Sequence, residues 1–217
     1  MSQYVVVDLE MCQIPVDKRK AAGYGRTTET IQIGAVLLNE QFEIADEFNS
    51  FVKPELGFMD TRIMQLTGIS STDLIDAPFM KEALIRFIDW IPADAKVVSW
   101  SESDLEQIRY EALKKGISHE RLESILDEWI DCQKMFMDKI SVERKYKLSE
   151  ALIIADIDQE GHEHNGLADA YNTAKLFAKM MTEPELKLNS YYMKAQSGEE
   201  RHSGFSIADA FSNIKFD

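Results

Sequence analysis

The chain has 217 residues, 45% of them hydrophobic, which is enough to bury the core of one ordinary to large domain. Its formal charge of −14 and pI near 4.7 argue against a protein that grips long duplex DNA across its surface, because such binding needs clustered Lys and Arg. No run approaches the roughly 18 apolar residues of a membrane span, and the first residues lack the basic and apolar regions of a signal peptide. A cytoplasmic setting is therefore expected, in which Cys12 and Cys132, which show no metal-type spacing, stay reduced.

No repeat, low-complexity stretch or Pro-, Gly- or Ser-rich linker interrupts the first 180 residues, so one domain is expected over 1–182, with 183–217 as a C-terminal extension packed on it. "YVVVDLE" (4–10) reads as a strand; "TIQIGAVLLN" (30–39) and "EIADEFNSFVKP" (43–54) follow as two more around the polar turn "EQF", as in a hairpin. Gly68, past "RIMQLT", looks like a helix C-cap, and Pro78 opens a segment whose Met80, Ala83, Leu84, Phe87, Trp90 and Ile91 recur at helical spacing. "AKVVSW" (95–100) is a fourth strand. "SDLEQIRYEALKKG" (103–116) is a helix capped by Ser103, with Glu106 completing a capping box and Gly116 as the stop, so Asp104 falls in the first turn just past a strand end.

"EWIDCQKMF" (128–136) is expected to be a short fifth strand running into a helix, and "KLSEALIIADI" (147–157) and "GLADAYNTAKLFAKMM" (166–181) two further helices. In the last, Leu167, Ala170, Tyr171, Ala174, Phe177 and Met181 form a stripe to face the sheet, while Asp169 shares a second apolar face with Thr173, Leu176 and Met180. A helix apolar on two sides is covered on both, and a charge there is costly without a partner. A short helix around "SIADAFSNI" (206–214) is expected near the end.

Strand side chains alternate between faces, so Asp8 and Glu10 emerge side by side. Two such carboxylates repel: a cation sits between them, or one stays protonated, or the strand ends early enough to solvate both. Each acid has an ordinary explanation alone, Asp104 as a charge favoured at a helix N-terminus, Asp169 as a partner for Lys, Asp8 and Glu10 as a solvated strand end. Together they are harder to dismiss, because a central strand and its neighbour can deliver both sets to one sheet edge. Two divalent cations would cancel four carboxylate charges, and an all-oxygen set favours Mg²⁺ or Mn²⁺ over Zn²⁺.

His164 stands five residues before Asp169. On one continuous helix the two would lie about 140° apart, which puts His164 on the loop leading in, free to lean over the metals. Its ordinary pKa near 6.5 suits a general base. The rival reading makes His162 and His164 an H-x-H zinc pair with Glu163 nearby, for which a third and fourth ligand are missing.

These five positions in this order resemble the DEDDh 3′-to-5′ exonucleases: an Asp-x-Glu on the first strand ("DLE", 8–10), an Asp opening the helix after a later strand ("SWSESDLEQI"), and a His five residues before a final Asp ("HNGLADA", 164–170). The similarity spans roughly residues 4–181. Within it "FVKPE", "LTGI" and "HNGLADAYNTAKL" look like the subgroup of histone-mRNA, Eri-type and KapD-like exonucleases. The segment before Asp104 departs from many relatives in lacking their His-Asn.

The resemblance implies an α/β, ribonuclease H-like mixed five-stranded sheet flanked by helices. It also implies two Mg²⁺ ions, replaceable by Mn²⁺, held by Asp8, Glu10, Asp104 and Asp169, with His164 as the base. The partners it implies are single-stranded RNA or DNA 3′ ends, cut to nucleoside 5′-monophosphates, with Met11, Leu66 and Thr67 holding the terminal nucleotide. A catalytically silent RNA- or protein-binding module of the same fold is the competing expectation, and five poised side chains argue against it. With little basic surface, short single strands are expected over long duplexes. "DKRKAAGYGR" (17–26) and "RKYK" (144–147) are the local basic stretches, each equally a phosphate track or solvated surface.

Overall fold

In the computed structural model, which describes residues 2–197, the three N-terminal β-rich runs form an antiparallel meander of β1 (Tyr4–Gln13), β2 (Thr28–Leu38) and β3 (Ile44–Phe51). β4 (Lys96–Ser99) and β5 (Ile130–Asp131) add in parallel on the other side of β1, giving the order β3-β2-β1-β4-β5. This is the mixed five-stranded, ribonuclease H-like sheet the motifs implied. The helix expected at 206–214 lies outside the described residues.

The central strand is covered on both faces. Val5, Val7 and Leu9 pack with Leu84 and Phe87 of α3 (Met80–Trp90), Ile108 and Ala112 of α4 (Glu102–Lys114) and Leu126 of α5 (Leu122–Asp127). Val6, with Val36, Leu38 and Val98, meets Phe136 of α6 (Cys132–Lys139), Leu152 of α7 (Leu148–Ile154), and Ala174 and Phe177 of α8 (Gly166–Thr182). "YVVV" is thus an unbroken apolar run because each residue meets a helix layer whichever way it points. Fully burying a side chain such as Phe87 or Phe177 contributes about 1.5–3 kcal/mol. α1 (Val16–Ala21) follows β1, and a smaller cluster of Cys12, Ile31, Ile69 and Leu74 seats the segment that carries α2 (Thr61–Thr67).

Two local expectations are corrected. α4 begins at Glu102 and its cap is Ser101, not Ser103: Ser101 is extended (φ −141°, ψ 175°) directly after Trp100, and its Oγ accepts from the Ser103 N–H at 3.4 Å. Glu106, freed from a capping role, pairs with Arg26 at 3.8 Å. In α8 the sheet-facing stripe stops short of Met181, which is 40% exposed, and half-buried Tyr171 donates its hydroxyl to Glu47 at 2.7 Å. Thr173, Leu176 and Met180 are buried on the face that also carries Asp169. Past α8, Leu186, Leu188 and Tyr192 pack against the second core, and the Asn189 N–H donates to the Ile154 carbonyl at 2.8 Å ahead of α9 (Ser190–Ser197).

The start of α8 lies almost on top of β2. A Cβ added to Gly34 would fall 2.2 Å from the Leu167 nitrogen and 2.3 Å from the Gly166 carbonyl carbon. A lone Gly inside an apolar strand often marks such a backbone approach. Gly34→Ala is therefore expected to destabilise by about 1–3 kcal/mol through overpacking, read as a lowered urea midpoint at constant m. An unchanged midpoint would show that the helix does not sit this close.

Candidate active site

Asp8 and Glu10 lie within β1 rather than at its end, since pairing with β2 continues past them to Gln13, with Asp8 opposite Gly34 and Glu10 opposite Gln32. Solvation at a strand end, one of the three ways to relieve the pair, is thereby removed. The opening is on the other edge. β4 pairs with β1 only from Tyr4 to Val6, so between Val6 and the isolated bridge of Gln13 to Phe58 that edge of the central strand has no strand partner among the described residues. Asp104 takes the place of one: its Oδ1 accepts from the Leu9 N–H at 3.2 Å. A bulge between Glu10 and Met11 then ends the regular register, a feature that increases local twist.

α8 supplies the rest. Its cap, Asn165, accepts from the Ala168 N–H at 3.2 Å, and the Gly166 N–H donates to Gln32 Oε1 at 3.1 Å, while Gln32 Nε2 donates to Asn49. A Cβ on Gly166 would come within 3.1 Å of the Asp8 carbonyl oxygen. The helix start is thus seated over Asp8, and Asp169 follows within its first turn. Gln32 and the two glycines were not singled out in the sequence, although Gly34 inside an apolar strand was a readable signal.

His164 is exposed, with φ +64°. This left-handed conformation is uncommon for a residue other than Gly, although His is among those that tolerate it best. Its backbone N–H donates to Asp169 Oδ2 at 2.8 Å, which ties the loop to the acid. Ligand-capable atoms of Glu10, His164 and Asp169 all lie within 4.8 Å of one another. His162 is not in that group; it is exposed and its Nδ1 hydrogen-bonds to the Glu163 carbonyl at 2.6 Å, so no H-x-H zinc pair is assembled.

The electrostatics say how these acids tolerate one another. Asp8 is held well above the usual carboxylate range, by burial first and then by Asp104, Glu10 and Asp169. Burial, followed by the charges of Asp169 and Asp104, pushes Glu10 up to about 8. Burial pushes Asp104 up to about 7 despite the Leu9 and Asp104 N–H groups and the Ser103 hydroxyl. Asp169 is raised as well, by burial, against the His164 N–H and imidazole. As bare anions the four destabilise the site, and either protons or divalent cations relieve it. The donors are hard oxygens, while the thiols of Cys12 and Cys132 are buried and free in the cores, so the residues fit Mg²⁺ or Mn²⁺.

A stability consequence follows. Between the ordinary carboxylate range near 4 and about 8, the folded metal-free chain binds more protons than the unfolded one. Its stability must therefore fall as pH rises through that window. The melting temperature in EDTA is expected to drop between about pH 5 and 8, and Mg²⁺ to raise it by an increment that grows with pH. A Mg²⁺ increment independent of pH would contradict the idea that protons and metal compete for one set of oxygens.

The residues named for a terminal nucleotide fare differently. Met11 is half-buried against the first core. Thr67 is buried, its hydroxyl donating to the Ile63 carbonyl and accepting from the Ile69 N–H, so it closes α2 ahead of Gly68 (φ +71°). Leu66, 39% exposed, offers apolar surface. Beside the acids opens a cleft of about 640 Å³, whose lining includes Asp8, Trp100, Gln133, Tyr146, His164 and Asp169, and whose Trp100 and Gln133 the sequence did not flag.

The fold and the comparison with known families together place the chain among the exonucleases. The chain belongs to the RNase_T exonuclease family, whose profile matches residues 5–177. It is 31% identical over 201 residues to ERI1 exoribonuclease 2 of Danio rerio, covering 81% of this chain and 35% of that protein, and thus spans about a third of this relative's length. The nuclease domain of 3′hExo, a DEDDh member bound to rAMP, superposes with a TM-score of 0.72 over 87% of this chain and 96% of that one at 22% identity. Escherichia coli exonuclease I in complex with a dT13 oligonucleotide does so with a TM-score of 0.60 over 84% and 41% at 15% identity. Both likenesses show the fold. No helix of the described residues is long and apolar enough to cross a membrane.

Proposed function

We propose that this chain is a 3′-to-5′ exonuclease that releases nucleoside 5′-monophosphates from single-stranded RNA or DNA by metal-dependent phosphodiester hydrolysis. The observation that carries the reading is the gathering of Asp8, Glu10, Asp104 and Asp169 at the open edge of β1, all four with raised pKa and Glu10 and Asp169 beside His164. These four carboxylates would hold two divalent cations, Mg²⁺ or Mn²⁺, which when bound supply an activated nucleophile and stabilise the charge of the reacting phosphate.

The chain's own side chains do the rest. His164, positioned through its main-chain bond to Asp169, takes the proton of the attacking water. Asp104, fixed by the Leu9 N–H, keeps the acid of α4 against β1. Met11 and Leu66 are proposed to contact the terminal base, with Thr67 supporting the turn. The relative named an exoribonuclease and the oligodeoxynucleotide bound by exonuclease I support reading the substrate as RNA or DNA. Two buried thiols suit a cytoplasmic setting.

Digestion in Mg²⁺ of single strands labelled at either end tests this directly. Immediate release of labelled mononucleotide from the 3′ end is expected. Internal cuts would indicate a ribonuclease H-like endonuclease, and intact strands would favour a silent module that keeps the fold for binding alone.

A further inference from the structure

The cleft beside the acids has a wall the catalytic reading does not use. Arg144, Lys145 and Lys147 all line it, on the loop that leads into α7. That loop is built rather than loose. Tyr146 is 8% exposed, its carbonyl accepts from Gln133 Nε2 at 2.7 Å, and its ring meets Phe136 edge-on at 6.3 Å. With Tyr146 pinned inward, Lys145 and Lys147 on either side of it are exposed.

Arg144 has partners of its own, Glu150 at 2.8 Å and the Tyr146 ring at 4.9 Å. Lys145 and Lys147 have no ion-pair partner among the described residues. What sets them apart from other lysines without an ion pair is their place, on the lining of the cleft that also holds Asp8, His164 and Asp169. They would not be needed to neutralise the carboxylates either, since bound divalent cations would do that, and extra positive charge nearby would weaken metal binding by repulsion. Two ammonium groups on the lining of a cleft beside the acids suit an anion that arrives with the substrate.

We propose, resting on the exonuclease reading, that this cleft is the track for the strand on the 5′ side of the bond to be cut, with Lys145 and Lys147 contacting its phosphates. The lining of the cleft includes Asp8, His164 and Asp169 but none of Met11, Leu66 and Thr67. The departing nucleotide and the remaining strand thereby occupy different flanks of the acids. Phosphate contacts carry no base information, so the track takes single strands of either sugar and any sequence. Because Tyr146 holds the loop in place, little ordering opposes binding.

The test compares Lys145→Ala/Lys147→Ala with the unmodified chain on two substrates: a single-stranded oligonucleotide of about 15 residues, and the p-nitrophenyl ester of thymidine 5′-monophosphate, which has no strand to track. The ratio of kcat/KM for the oligonucleotide to that for the ester is expected to fall about tenfold, through KM. The slope of log(kcat/KM) for the oligonucleotide against log salt should become shallower by roughly 1.4, two single-strand phosphate contacts at about 0.7 each. Lys145→Arg/Lys147→Arg should retain both. An unchanged ratio, or equal losses on both substrates, would overturn the track while leaving the exonuclease reading intact. Failure of the unmodified chain to turn over either substrate with Mg²⁺ or Mn²⁺ would overturn both.

Discussion

Asp8→Ala is expected to reduce turnover by at least about 10³-fold, beyond the 10- to 100-fold typical when an outer partner of a metal ligand is lost. Asp8 is the residue whose charge interacts with all three of the other acids, so its removal alters every pair at once. The accompanying stability change has the opposite sign to most core truncations. A carboxylate whose own pKa is raised by burial and by its neighbours destabilises the metal-free fold at neutral pH, so in EDTA at pH 8 the variant should melt at or above the temperature of the unmodified chain. The melting increment given by Mg²⁺ should largely disappear. Retained activity would refute the assignment of Asp8. A variant that lost activity but kept the full Mg²⁺ increment would show that the metals are held elsewhere.

His164→Ala is expected to behave differently. Loss of a general base lowers kcat by roughly 10² to 10⁴. The main-chain bond from residue 164 to Asp169 survives the substitution, as does the four-carboxylate set, so the Mg²⁺ melting increment should remain. His164→Gly separates conformation from chemistry. At φ +64° glycine is less strained than alanine, so the Gly variant should be the more stable of the two and no more active. If calorimetry showed that either variant had lost its metals, His164 would be a ligand; its ring already lies within 4.8 Å of Glu10 and Asp169 oxygens, which makes that outcome a sharp one.

Legibility along the chain followed the range of the interactions. The strands, the glycine-ended helices and the short fifth strand running into α6 are local features, written in β-branched runs, apolar periodicity and caps, and they stand where those signals place them. The α4 cap was misplaced by two residues because Ser101 and Ser103 are equally good caps by type; the extended backbone that follows β4 selected the first. Met181 fell out of the α8 stripe because helical spacing cannot say where the sheet beneath the helix ends.

By itself, then, the amino-acid order determined which side chains this protein offers for chemistry, two acids on a strand, one in a helix's first turn, a His five residues before another, since residue type and spacing are one-dimensional properties. Only the tertiary structure decided that they meet. β4 stops pairing at Val6, which leaves an edge for Asp104 to fill; Gly34 lets α8 descend until Asp169 stands over β1; and the anchored Tyr146 turns a four-residue basic stretch into one wall of the same cleft. Those outcomes depend on contacts between segments tens to more than a hundred residues apart, and such contacts are set by packing, which no local pattern encodes.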